Sequence, residues 1–573
     1  MHRARHNSEA QGFSDPVFCF YPGVGCGLGF RKSCGTDDMS KHPHSPHRPG
    51  GRSILRRKPL SVIPGLGVDV PELQQARALW QLNRFDAALE LFERAVRKYP
   101  QNQVALVDAS RAMGARFEIT RAEAIVDRLA KVAARNPELL HLAGQSYRMI
   151  FRPDKAIECF ERVLKLTRQI PDTQLELAVL YERRHRVTEA YALIEDCLRA
   201  APDYLEAELF KARLLRRLKD AAGADKLFRA LAANEQAHPL VRAQAWNEVA
   251  QKLDQEGDYE GAMESLLKCK ELLKRDEKLL LEESEALQGH VRNLAESLTP
   301  AHFQRWAEAA KAFPRRQQAV VASFPRTGTT LLEQVLDSHS GLVSSDEREA
   351  FGRDIFPAIW RTPSTPLPTA AALDAAPLER LAAQRERYFA YMAAALNEPI
   401  GDRVHLDKNP SLTPLLPGML RLFPETMLLI ALRDPRDVVI SCFMQYLPLN
   451  TNSVCFLTLE RTAQRFAHDM RLWLLLREKI CSPWLEVRYE DCVANLEREA
   501  RRSLDFLGLP WDSSVLTYRE RLRTKAVASP TYEAVSKPLY TSAIGRWKSY
   551  HRYLEPCLDT LQPCIKALGY EPS

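Results

Sequence analysis

No Cys-x-x-Cys pair occurs among the twelve cysteines of this 573-residue chain. The usual zinc and dithiol spacings are therefore missing, and the thiols read as reduced and mostly buried. Long apolar runs are missing too: none approaches the roughly 20 residues a helix needs to cross a bilayer. The start, Met1-His2-Arg3-Ala4-Arg5-His6-Asn7, is not followed by a clean apolar secretory segment. These absences predict a cytoplasmic protein with no transmembrane segment. A basic surface is also lacking once the charge is located. Of the formal net charge of +7, residues 1–70 supply +5 (ten Lys/Arg against five Asp/Glu), which leaves +2 for the other 503 residues. Nucleic acid is not an expected partner of the folded part.

Residues 1–70 have little periodicity and much Gly, Pro, His and Arg. His42, His44 and His47 have a spacing that could chelate a metal, but the composition predicts a disordered basic tail, and no metal is expected. A length of 573 residues calls for two or three domains. From Pro71 to about Arg275 the chain repeats itself. Ala88, Ala122, Ala156, Ala190 and Ala224 stand 34 residues apart, and Ala262 follows after 38. Four residues past each come Phe92, Val126, Phe160, Ile194, Phe228 and Leu266. A small residue where helices cross, with large ones around it at this period, resembles the tetratricopeptide repeat. That resemblance implies an α-solenoid over 71–275, in which helix pairs stack because none can bury its apolar face alone. Cys197 and Cys269 fall three residues after Ile194 and Leu266, in a packing slot. Residues 276–316 read as a capping helix and connector.

The stretch Val320-Val321-Ala322-Ser323-Phe324-Pro325-Arg326-Thr327-Gly328-Thr329-Thr330-Leu331-Leu332 reads as strand, tight turn and helix. Such a turn aims backbone N–H groups and the positive end of the helix dipole at one point, which suits a phosphate or sulfate. Arg326 adds a fork of donors, and the hydroxyls of Thr327, Thr329 and Thr330 can reach remaining oxygens. The NTPase lysine is absent, since Thr329 follows Gly328. Further apolar runs at Val404–Leu406, Thr426–Leu432 and Leu485–Tyr489 alternate with helical stretches, so residues 317–573 are expected to form a parallel sheet covered on both faces. After the run ending at Leu432 comes Arg433-Asp434-Pro435-Arg436-Asp437-Val438-Val439-Ile440-Ser441, where Asp434 can cap and Pro435 can start a helix. Arg433 and Ser441 then make a second oxyanion site. Two phosphate sites without a P-loop lysine or a Mg²⁺-binding acidic motif argue against ATP and suit a ribose phosphorylated at both ends.

The turn Pro325 to Thr330 resembles the 5′-phosphosulfate loop of sulfotransferases, and the run from Arg433 to Ser441 resembles their 3′-phosphate motif. Asp407-Lys408-Asn409-Pro410, Arg488-Tyr489-Glu490-Asp491 and the segment from Thr531 through Lys537-Pro538 to Gly545-Arg546-Trp547 resemble three further family motifs in order. The resemblance is to tetratricopeptide-repeat sulfotransferases and, distantly, to protein-tyrosine sulfotransferases. It implies a P-loop-like α/β domain that transfers a sulfuryl group from 3′-phosphoadenosine 5′-phosphosulfate (PAPS) to a hydroxyl or amine. It further implies that Arg326, Thr327, Gly328, Thr329, Thr330, Arg433, Ser441, Tyr489, Thr531 and Lys537 bind the co-substrate. Arg326 and Lys408 would stabilise the leaving phosphate and Glu347 would be the base, with His405 as the alternative base. A protein or peptide acceptor or partner is expected at the repeats. The competing readings are a repeat scaffold whose nucleotide-binding domain is inactive, and an NTPase, which the missing lysine disfavours.

Overall fold

Small residues recurring every 34 positions let the helices of the first half approach closely, and the computed structural model shows what they approach. It describes residues 69–522 and 542–571, apart from 168, 169, 363, 364 and 366; most of the basic tail, and Thr531 and Lys537, lie outside the described residues. Among the described residues, twelve helices run from Pro71–Gln81 to Tyr259–Leu273, packed in consecutive pairs. Ala88, Ala122, Ala156, Ala190 and Ala262 are fully buried at the crossings, with Phe92, Val126, Phe160, Ile194 and Leu266 beside them. Gly144 shows how tight these crossings are: a Cβ there would lie 2.4 Å from the Phe160 ring. Cys197 and Cys269 are fully buried, and burial pushes both thiols up to about 11. Two further helices, Glu277–Ser297 and Pro300–Ala310, lead into the second half.

The second half is built on five parallel strands: β1 (Gln318–Ala322), β2 (Leu342–Ser344), β3 (Val404–Lys408), β4 (Met427–Leu432) and β5 (Trp484–Arg488). Their order is β2-β3-β1-β4-β5. Strand pleating sorts β1 between two cores: Val320 and Ala322 face one, Ala319 and Val321 the other. The three-residue β2 has no counterpart in the strand pattern read from the sequence, being too short for alternation to register. Val321 pairs with Lys408 of β3, and Ala322 with Ile430 of β4. The chain segments leaving β1, β3 and β4 therefore emerge side by side at the carboxyl edge of the sheet, where ligands of such sheets bind. The larger core continues from the helical array into this domain without a break. Among the described residues no helix is long and apolar enough to cross a membrane.

Candidate active site

The loop after β1 turns through two left-handed residues, Arg326 (φ 73°) and Gly328 (φ 93°). Gly328 is the N-cap of helix Thr329–Asp337 and has no side chain with which to cap it. The first turn of that helix therefore presents its N–H groups at the end of the loop. A Cβ at Gly328 would sit 2.7 Å from Cδ2 of Tyr489, so the position needs glycine for space as well as dihedral. The Thr327 hydroxyl donates to the Phe324 carbonyl at 2.8 Å, which commits its proton to the turn itself. Thr329 and Thr330 lie buried in the first helical turn.

The junction after β4 closes over this loop. Asp434 caps helix Pro435–Phe443 by accepting from Arg436 N at 2.9 Å, and Pro435 opens it. Arg326 Nε donates to Ser441 Oγ at 3.0 Å. Arg433 Nη1 donates to the Arg326 carbonyl at 3.0 Å, its Nη2 donates to the Ala543 carbonyl at 2.5 Å, and its guanidinium lies 5.0 Å from the Tyr489 ring. Its buried Nε has no hydrogen-bond partner among the described residues. Asp437 accepts from the N–H groups of Gly545 (2.7 Å) and Trp547 (2.8 Å), which ties the carboxyl-terminal segment to the same helix. The two oxyanion sites read from the sequence are therefore one contiguous edge.

Lys408, at the end of β3, is fully buried. Its Nζ lies 2.7 Å from Glu347, 3.0 Å from Asp346 and 3.2 Å from Glu333. Burial works against its charge, yet the three carboxylates outweigh that and hold its pKa well above the lysine range. The loop carrying Glu347 is pinned by Ser344 N on Asp337 (2.8 Å) and Ser345 N on the Leu406 carbonyl (3.1 Å). His405 is not part of this group. It lies on the opposite face of β3, 5.7 Å from the Tyr388 ring and 5.6 Å from Phe389, with neither ring nitrogen hydrogen-bonded. Burial pushes its pKa down to about 3. Glu333 and Glu349 were not singled out from the sequence. Glu333 is a fully buried acid in a helix read for its apolar face. Burial, with the nearby Glu347 charge, pushes Glu349 up to about 8 against the pull of Arg353.

Comparison with known proteins bears on this arrangement. Residues 318–513 match the model of the sulfotransferase family. The second half is a sulfotransferase-family domain. Residues 79–145 and 137–170 match tetratricopeptide repeat models, so this sulfotransferase domain follows a repeat array. An uncharacterized protein of Aquifex aeolicus (strain VF5) is 26% identical over 335 residues, 57% of this chain and 42% of its own length. The chain thus spans less than half of that relative. Protein-tyrosine sulfotransferase A of Caenorhabditis elegans is 24% identical over 281 residues, 44% of this chain and 67% of its own. Among solved structures, the sulfotransferase domain from the curacin biosynthetic pathway is 19% identical, covering 46% of this chain and 99% of that one, with a TM-score of 0.31.

Proposed function

We propose that the sulfotransferase domain moves a sulfuryl group from PAPS to an acceptor hydroxyl or amine. The observation that carries this reading is the 3.0 Å hydrogen bond from Arg326 to Ser441, which joins the loop after β1 to the helix after β4. A ribose phosphorylated at both ends needs such a joined edge. The donor set fits it, with the first helical turn opening at Gly328, which carries no capping side chain, and a buried Arg433 Nε that has no partner among the described residues. In this reading Arg326 and the first-turn N–H groups hold the 5′ end, Arg433 and Ser441 hold the 3′ phosphate, and Tyr489 packs against the loop.

The acceptor oxygen forms a bond to sulfur as the bond between sulfur and the carrier-phosphate oxygen breaks, leaving that electron pair on the phosphate. Glu347 takes the acceptor proton. Arg326 and Lys408 meet the charge that grows on the departing phosphate, and one such contact is worth roughly 3–4 kcal/mol in the transition state. Lys408 suits this role because its carboxylate neighbours keep it charged. The likeness to proteins named protein-tyrosine sulfotransferases, together with the repeats, supports a protein or peptide acceptor.

Adenosine 3′,5′-bisphosphate should raise the melting temperature of the full chain, and Arg326→Ala should abolish the shift. Transfer of label from PAPS should then fall at least a hundredfold in Glu347→Ala and persist in His405→Ala. Binding without any transfer would mean an inactive scaffold; absence of binding would sink both readings.

A further inference from the structure

We infer that Phe151, in a turn of the repeat array, is a positioning residue for Glu347, acting through Arg348; this rests on the sulfotransferase reading above. In each repeat one residue between the paired helices has positive φ: Asn83, Phe117, Phe151, His185, Lys219 and Gly257. Asn and Gly suit that dihedral, whereas a bulky ring there is uncommon. His185 and Lys219 point to solvent, but the two phenylalanines do not. Phe117 is buried, Phe151 is half-buried, and their rings stack at 6.3 Å. Arg353 lies 4.7 Å from the Phe117 ring, and Arg348 lies 3.9 Å from the Phe151 ring. Both arginines belong to the segment that follows Glu347. Arg116 pairs with Asp354, Arg353 donates to the Ala115 carbonyl, and Arg152 donates to the Ala394 carbonyl at 2.9 Å, so the turns are fixed to the sulfotransferase domain.

Arg348 is half-buried; desolvation works against its charge, the charges favouring it are those of Asp346, Glu333 and Glu347, and Arg152 opposes them. The same three carboxylates contact Lys408. The candidate base therefore belongs to a group of three acids between two cations, and the Phe151 ring face sets where the second cation lies. Among the described residues, the charged groups around Glu347 include Lys408 from β3, Glu333 from helix Thr329–Asp337, and Asp346, Arg348 and Glu349 on its own loop. Arg152 from the array lies behind Arg348, and Arg353 beside Glu349. Loss of the ring face lets Arg348 move off, and the adjacent Glu347 then loses the placement, 2.7 Å from Lys408, from which it takes the acceptor proton.

The test uses the full chain, with release of adenosine 3′,5′-bisphosphate from PAPS in the presence of 4-nitrophenol as the assay. Phe151→Leu keeps an apolar side chain and loses the π face; kcat should fall about tenfold. KM for PAPS should stay within about twofold, because Arg326 and Arg433 are untouched. Phe151→Tyr should recover most of the rate, and Arg348→Met should reproduce the Leu variant even where the latter folds poorly. A wild-type kcat in Phe151→Leu or in Arg348→Met overturns the inference. If wild type shows no turnover with 4-nitrophenol, this small phenol is not its acceptor. The rate of carbodiimide labelling at Glu347 then decides the role of Phe151: unchanged in both variants, it overturns the positioning.

Discussion

Asp407 and Lys408 are neighbours on β3 with opposite surroundings. Pleating turns Lys408 toward three carboxylates and turns Asp407, with His405, toward Tyr388. Burial dominates at Asp407; the Tyr388 hydroxyl at 2.6 Å and the Lys408 charge offset only part of it, and the carboxyl is pushed up to about 6. A carboxyl whose folded pKa is raised binds its proton more tightly in the fold than in the unfolded chain. Stability from this group is therefore full below about pH 4 and is lost as pH rises through about 6. Asp407→Asn should stabilise the chain by on the order of 2 kcal/mol at pH 8 and by almost nothing at pH 4. Denaturant midpoints at the two pH values check this, and an equal effect at both would refute it. His405 could be read from the sequence as a candidate but not placed. A three-residue step along a strand reverses the face, so which of His405 and Lys408 meets Glu347 depends on what covers each side of the sheet.

The element that carries most of the site is the strand, turn and helix from Gln318 to Asp337. Its form was readable because the signals are local: a buried apolar run, a Pro–Gly turn, and apolar residues at helical spacing. What could not be read was the ring of Tyr489 against Gly328, brought from the end of β5. Gly328→Ala meets two obstacles, a left-handed dihedral that costs about 1–2 kcal/mol and a 2.7 Å contact. Calorimetric titration should show adenosine 3′,5′-bisphosphate binding weakened at least tenfold, with the fold retained. Adding Tyr489→Ala relieves the contact but not the dihedral, so recovery should be partial. Full affinity in the single variant would show that the turn tolerates a side chain.

At the scale of the molecule, the array and the sulfotransferase domain are fastened at two places. One is the Phe117–Phe151 turn pair; the other lies at the last repeat. There Asn247 and Lys270 donate to the carbonyls of Met444 and Gln445 at 2.8 Å each, and Asp254 accepts from Tyr550 at 2.6 Å. Asn247 and Lys270 thereby satisfy carbonyls at the carboxyl end of the helix that bears Ser441. With one apolar core running through both halves, most of the chain should unfold in one calorimetric transition rather than in separate array and domain steps. Two well-separated transitions would show that the halves are independent.

The 34-residue period, the Pro325–Thr330 turn and the Arg433–Ser441 run were determined by the sequence alone. Each is a short-range pattern whose backbone form follows from residues close by in the chain. The tertiary structure alone decided that Arg326 meets Ser441, that Lys408 collects Glu333, Asp346 and Glu347, and that Phe151 covers Arg348. Those meetings join residues far apart in the chain, and periodicity carries no information about which distant surfaces close on one another.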